Sequence, residues 1–376
     1  MGQHAASGLS LFDLLAREWT LESDIVQTDF SQDESVAVFR LSSGRIALAA
    51  TADGESPKIR TRMDLETGRT TIRPREKPVP ALKVPLVQVH PGLPVVRFGA
   101  RGFAVVDDSG ALQQVTAGGQ VVERLKPRDG AVTALCSDAR GAVLALARGD
   151  AITVLTAADM TTTQSRSLDH AVSCVAISPQ GTTLAAWGQG MLSLVDLREA
   201  QRMPQVMECP GDIAEISWNA TGTHLSCASE DKSVVIVNRG SGGLQRIEGF
   251  PAPVRYTAFC GPDGALVASG AYRLAAWSGT DLPANDRPGT PLSTGKPGFV
   301  AISAIAAHPT RPLVASGYAS GLVAIASIGS PEEMMLHQER GTDVGAMRWS
   351  ASGTHLAIGF ASGKAAIVTF PEQMFK

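Results

Sequence analysis

The sequence predicts an all-β chain built as a single β-propeller, and three observations carry that prediction. A short unit is written out eight times along the 376 residues. Its copies open at positions 25, 84, 132, 172, 213, 254, 302 and 344, so after a first interval of 59 residues they recur every 40 to 48, the spacing of a four-stranded antiparallel blade. Helical periodicity is almost absent, whereas short apolar runs alternate with turn residues throughout.

Residues 1–17 read as an N-terminal extension and 18–376 as the propeller domain. The run from Ser10 to Arg17 is amphipathic but too short to persist alone, so it is expected to pack against the propeller rather than engage a membrane or a partner. Glu18-Trp-Thr-Leu-Glu22 alternates like a strand. The last copy opens at Val344 and has room for three strands but hardly four, so this N-terminal strand is expected to complete the final blade and close the ring. Eight copies predict eight blades, with seven as the alternative. The first interval has room for an extra hairpin or a long loop.

The clearest copies are Val172-Ser-Cys-Val-Ala-Ile-Ser-Pro179, Ile213-Ala-Glu-Ile-Ser-Trp-Asn219 and Val344-Gly-Ala-Met-Arg-Trp-Ser350. Each is apolar at its first, fourth and sixth positions, then turns through Gly-Thr into a second strand. Trp218 and Trp349 share the sixth position with Phe30, Val89, Ile177 and Phe259, which marks them as core between blades. These residues resemble the WD40-repeat family of β-propellers, as do the later runs Gly317-Tyr-Ala-Ser-Gly321 and Gly359-Phe-Ala-Ser-Gly363. No Trp-Asp dipeptide closes a third strand; the endings are Leu194-Val-Asp-Leu197, Ile236-Val-Asn238, Ala276-Trp-Ser278 and Ile367-Val-Thr369. The family's Gly-His pair survives only as Asp169-His170. With its polar network thinned, such a propeller rests on apolar packing.

Composition narrows the function. With 44% hydrophobic residues the chain buries a sizeable core, which rules out disorder. The 33 basic and 36 acidic residues leave a net charge of −3, which provides no global field toward nucleic acid or an anionic membrane. No apolar run is long enough to span a bilayer. The five cysteines are odd in number and lack Cys-x-x-Cys spacing, so they read as buried thiols of a cytoplasmic protein. The seven histidines lack metal-ligand spacing; His308 and His355, one on each of the last two blades, are the nearest to a pair. No nucleophile elbow or phosphate loop is present. Polar residues on the innermost strands are few, namely Asp29, Glu215, Arg255 and Arg348, so catalysis is disfavoured and neither metal nor cofactor is expected. From Lys58 to Lys77 seven basic residues face three acidic ones; their alternation with Ile59, Thr61, Met63 and Ile72 fits a solvated edge strand better than a nucleic-acid site.

The remaining signal is a recognition rim. The turns between second and third strands are expected to crowd one mouth of the channel with Arg101, Arg148, Glu230, Lys232, Tyr272, Arg273, Tyr318 and Phe360. Tyr and Arg are enriched at binding hot spots. Of these, Tyr272, Arg273, Tyr318, Phe360, Arg101 and Arg148 form the candidate partner rim. The reading is a non-catalytic, monomeric scaffold for a protein or peptide partner. The alternative is a propeller enzyme, or a small-ligand or metal binder, that uses the channel mouth.

Overall fold

The computed structural model describes residues 9–63, 70–372, 374 and 375. Eight antiparallel sheets follow one another around a closed ring. Their innermost strands are Ile25–Phe30, Val96–Phe98, Ala134–Ser137, Cys174–Ile177, Ile213–Trp218, Thr257–Cys260, Ile302–Ala307 and Val344–Trp349. We number the blades 1 to 8 in that order. In blades 1 and 6 three regular strands are present, and isolated bridges stand in the fourth position: Leu48 with Lys83, Leu274 with Thr294, and Trp277 with Pro291.

Strand formation follows composition. Val234-Val-Ile-Val237 is a β-branched run buried on both faces, as the third strand of a blade packed between two neighbours requires. Buried apolar side chains gather in clusters that straddle adjacent blades. In one, Ala185, Leu192 and Leu194 of blade 4 meet Ile216, Leu225 and Val235 of blade 5. Trp218 packs there and donates its indole N–H to the carbonyl of Ala176 in blade 4 at 3.1 Å.

The ring closes as expected. Ala16–Thr20 pairs antiparallel with Lys364–Thr369, so the outermost strand of blade 8 comes from the start of the chain. Just before it, Leu11–Leu15 forms a short helix with a Ser10–Asp13 capping box, which meets its first free amides. Phe12 and Leu15 are fully buried against blades 7 and 8, with the Phe12 ring stacked 3.9 Å from that of His337. Gly321 and Gly363, in the turns between second and third strands of blades 7 and 8, hold φ of +82° and +79°. A Cβ at Gly321 would collide with the Glu339 carbonyl, and one at Gly363 with that of Leu21. The glycine that ends each Ala-Ser-Gly run is therefore required where the next connection crosses the turn.

The polar residues at the third-strand endings are still used. Asn238 bonds to His224 at 3.1 Å and Thr369 to His355 at 3.0 Å, each tying a third strand to the start of the second. In blade 4 the buried His170 reaches Ser193 at 2.9 Å, a remnant of the thinned network.

Two expectations are corrected. The innermost strand of blade 2 is Val96–Phe98, not the segment opening at Val84: Phe98 pairs with Gly102 as Trp218 pairs with Leu225, while Val89 makes only an isolated bridge to Asp107. The long interval before it holds a hairpin of Thr61–Met63 with Thr70–Ile72. The basic segment around this hairpin is not simply a solvated edge strand. Lys58 and Arg60 lie in a short helix, Pro57–Arg60, and Arg60 is buried, donating to the carbonyls of Leu14, Glu55 and Arg73. Arg75 pairs with Asp53, which also faces Arg17 at 3.8 Å. The Glu55 carboxylate accepts the amides of Glu76 and Lys77 at 3.0 and 2.8 Å. The insertion thus clamps blade 1 to the closing strand. Arg69 lies outside the described residues.

Candidate functional site

The turns between second and third strands share one face of the disc with the connections between blades. Tyr272 stands there in the turn of blade 6, with 48% of its surface exposed. The connection from blade 6 to blade 7 lies beside it and carries Phe299, 98% exposed, and Val300, 37% exposed. Together they make an apolar patch on this face.

The patch is held by its backbone. Gly298 N–H donates to the Tyr272 carbonyl at 3.0 Å, Ile302 N–H to Ala271 at 2.9 Å, and Gly270 N–H to Ile302 at 2.8 Å. From the other side Arg273 Nε donates to the carbonyls of Thr294 and Gly295, while Lys296 N–H donates to Glu333 at 3.1 Å. Both ends of the loop are fixed, so Phe299 is displayed without a mobile stem, and little ordering entropy is lost when it is covered.

Other members of the predicted rim fall elsewhere. Phe360 is fully buried and Tyr318 is 6% exposed; both are packed between blades, so neither reaches the surface as a partner contact. They end the second strands of their blades, and strand alternation sends their side chains to the sheet face. Tyr272 escapes because its turn is longer. Burial pushes the Tyr318 phenol up to about 12. Arg101 sits in the first turn of blade 2, on the opposite face, where it pairs with Asp33 at 2.8 Å; the displaced frame of blade 2 had put it in the wrong turn. Arg148 is half-buried beside the turn of blade 3, and its Nε is buried without an acceptor. Glu230 pairs with Arg255 at 3.1 Å on the same face as Tyr272. Arg273 has a supporting role, holding the Phe299 loop.

The channel is lined by the polar residues noted on the innermost strands. Tyr256 reaches from blade 6 past blade 7, donating its hydroxyl to the Gly345 carbonyl of blade 8 at 2.9 Å. Asp29 pairs with Arg97 at 3.0 Å and with Arg348 at 3.5 Å. Glu215 leaves Oε2 buried without a partner, and burial pushes its carboxyl up to about 7 against the opposing pull of Arg348. His308 lies tilted against the Trp349 ring and accepts backbone amides, and His355 is bound to Thr369. Among the described residues no group of three or more His, Cys, Asp or Glu side chains could hold a metal ion. All five cysteines are free.

No protein-family model matches the chain, and no curated protein matches it. Solved structures do. A chain of a structure described as "Crystal Structure of Mitotic Checkpoint Complex" matches 80% of this chain and all of its own length at 14% identity and a TM-score of 0.57. The "Crystal structure of RRP9 WD40 repeats" matches 95% of this chain and 98% of that one, at 14% identity and 0.55. At such identity the likeness concerns the fold alone: this chain has the fold of a WD40-repeat β-propeller, and its own sheets number the blades at eight.

Proposed function

We propose that this propeller is a non-catalytic scaffold that docks a protein or peptide partner on the face carrying Tyr272, Phe299 and Val300. One observation carries the reading: a phenylalanine 98% exposed on a loop pinned at both ends by backbone hydrogen bonds. An aromatic left in water gives up the free energy that burial would return, and a rigid aromatic anchor is the residue type that dominates interface energetics. The partner would offer Phe299 an apolar pocket. WD40-type structures from protein assemblies among the similar folds support an interaction role. The free thiols support a cytoplasmic setting for the complex, with the unbound protein a monomer.

The test is capture from the native cells with wild-type protein and a Tyr272→Ala/Phe299→Ala double variant as baits, followed by identification of the bound proteins. The double variant should lose the partner while its melting temperature stays within about 2 °C, since surface changes move stability little. A partner retained in full by the double variant would remove this face from consideration.

A further inference from the structure

A second surface lies on the opposite face, where the first turns and the third-to-fourth connections emerge. Between blades 4 and 5 a cleft of about 400 Å³ is lined by Gln180, Asp196, Arg198, Arg202, Thr221 and Arg239. It continues into a hollow of about 470 Å³ that shares Asp196, Arg202, Thr221 and Arg239 and extends to Met203 and Gln205. Three guanidiniums therefore converge on one groove.

The acidic side chains inside it do not neutralise them. Asp196 is committed locally: its Oδ1 accepts the amides of Arg198 and Glu199 at 2.8 and 3.1 Å, and its Oδ2 takes Arg202 at 3.3 Å. Those amides, then burial opposing them and then Arg202, leave its carboxyl below the usual range. Glu199 also lines the cleft, but it is exposed and its carboxylate pairs with none of the three arginines, which outnumber the two acids. Among the described residues the guanidiniums of Arg198 and Arg239 have no acceptor. From blade 3, Arg166 donates to the carbonyls of Ala200 and Arg202, which fixes the connection that carries Arg198 and Arg202.

Beside the cleft runs the outermost strand of blade 4, Gln205–Glu208, whose outer backbone edge has no partner strand. Met203, 82% exposed, and Val206, 47% exposed, add apolar surface. We propose that this groove binds an extended acidic peptide segment of a partner protein, its carboxylates meeting Arg198 and Arg239 and its backbone running along the edge of Gln205–Glu208. Charge complementarity selects the acidic partner, and the open strand edge selects an extended chain. No aromatic side chain lines the cleft for base stacking, which favours peptide over single-stranded nucleic acid. The site is separate from the Phe299 patch and does not depend on it.

The test uses the full chain and fluorescence anisotropy at low salt with three labelled probes: a peptide of alternating Glu and Val, its Lys counterpart, and a DNA oligonucleotide of matched charge. The Glu peptide should bind in preference to both others, and binding should weaken as salt rises. An Arg198→Glu/Arg239→Glu double variant should raise Kd by at least about tenfold, while Phe299→Ala leaves it unchanged. Arg198 is exposed and Arg239 half-buried, and a thermal melt checks the fold of the double variant. Equal binding of the Glu and Lys peptides, or an unchanged Kd in the double variant, overturns the proposal. Tighter binding of the oligonucleotide with the same sensitivity overturns it in favour of nucleic acid.

Discussion

The indole Nε1 of Trp349 donates a hydrogen bond to the carbonyl of Ala306 at 3.1 Å, across the seam between blades 7 and 8. Trp218 makes the same bond to Ala176 three blades away around the ring, so the repeat position encodes a polar contact as well as bulk. Trp349 is the more buried of the two, with its ring also against Phe370. Trp349→Phe should cost about 1 kcal/mol, the value of the lost hydrogen bond, and Trp349→Ala about 3–5 kcal/mol. Chemical denaturation with a constant m-value measures both; a Trp349→Phe variant as stable as the wild type would mean that the hydrogen bond contributes nothing.

Removing residues 1–23 takes away the strand Ala16–Thr20 together with the buried Phe12, Leu15 and Arg17. The truncated chain should aggregate or melt far below the full chain, because Lys364–Thr369 becomes an open edge. A monodisperse truncated protein with the original melting temperature would contradict the role assigned to the closing strand.

Asp53 stands between Arg17 and Arg75 with little solvent contact. Burial would raise its carboxyl, but the Glu55 amide and the two guanidiniums outweigh it and hold it below the usual range. Asp53→Asn leaves Arg17 without its counter-charge and Arg75 with only the more distant Glu55 at 4.0 Å, and should destabilise by about 3 kcal/mol. Urea titration reads the change, and a loss under about 0.5 kcal/mol would show that the pairs are solvent-screened.

Glu215 gives a pH signature of opposite sign to a salt-bridged acid. Its carboxyl lies at about 7 in the fold against 4.5 ordinarily, so the folded protein holds the proton more tightly than the unfolded chain. Stability attributable to this group is intact below about pH 4.5, falls as pH rises to about 7, and stays low above that. Glu215→Gln should abolish that slope and exceed the wild type at pH 8 by about 1–3 kcal/mol. Parallel denaturation profiles of the two proteins across this window would refute the assignment.

The ring was legible in the sequence because each blade must bury the same positions, and Trp218, Trp349, Ile177 and Phe259 write that requirement at fixed spacing. Blade 2 was misframed because its regular innermost strand shrinks to Val96–Phe98 after the excursion that follows His90. The inward turn of Arg60 and Arg75 depends on Glu55 and Asp53, which lie outside the basic run itself. For the rim, residue type alone could not separate Tyr272, lifted on a long turn, from Tyr318 and Phe360, which strand alternation directs inward. Phe299 lies in an irregular connection, where no repeat sets an expectation; its local signal is the Pro297-Gly298 step just before it.

The strand at Ala16–Thr20 is made first and its partner at Lys364–Thr369 last. Throughout synthesis of the propeller the ring therefore stays unsealed, with its first strand held in waiting until the other strands of the eight blades have been delivered. Nascent chains must keep that edge shielded for the whole of synthesis, and a premature stop within the final blade would leave a protein that can never lock.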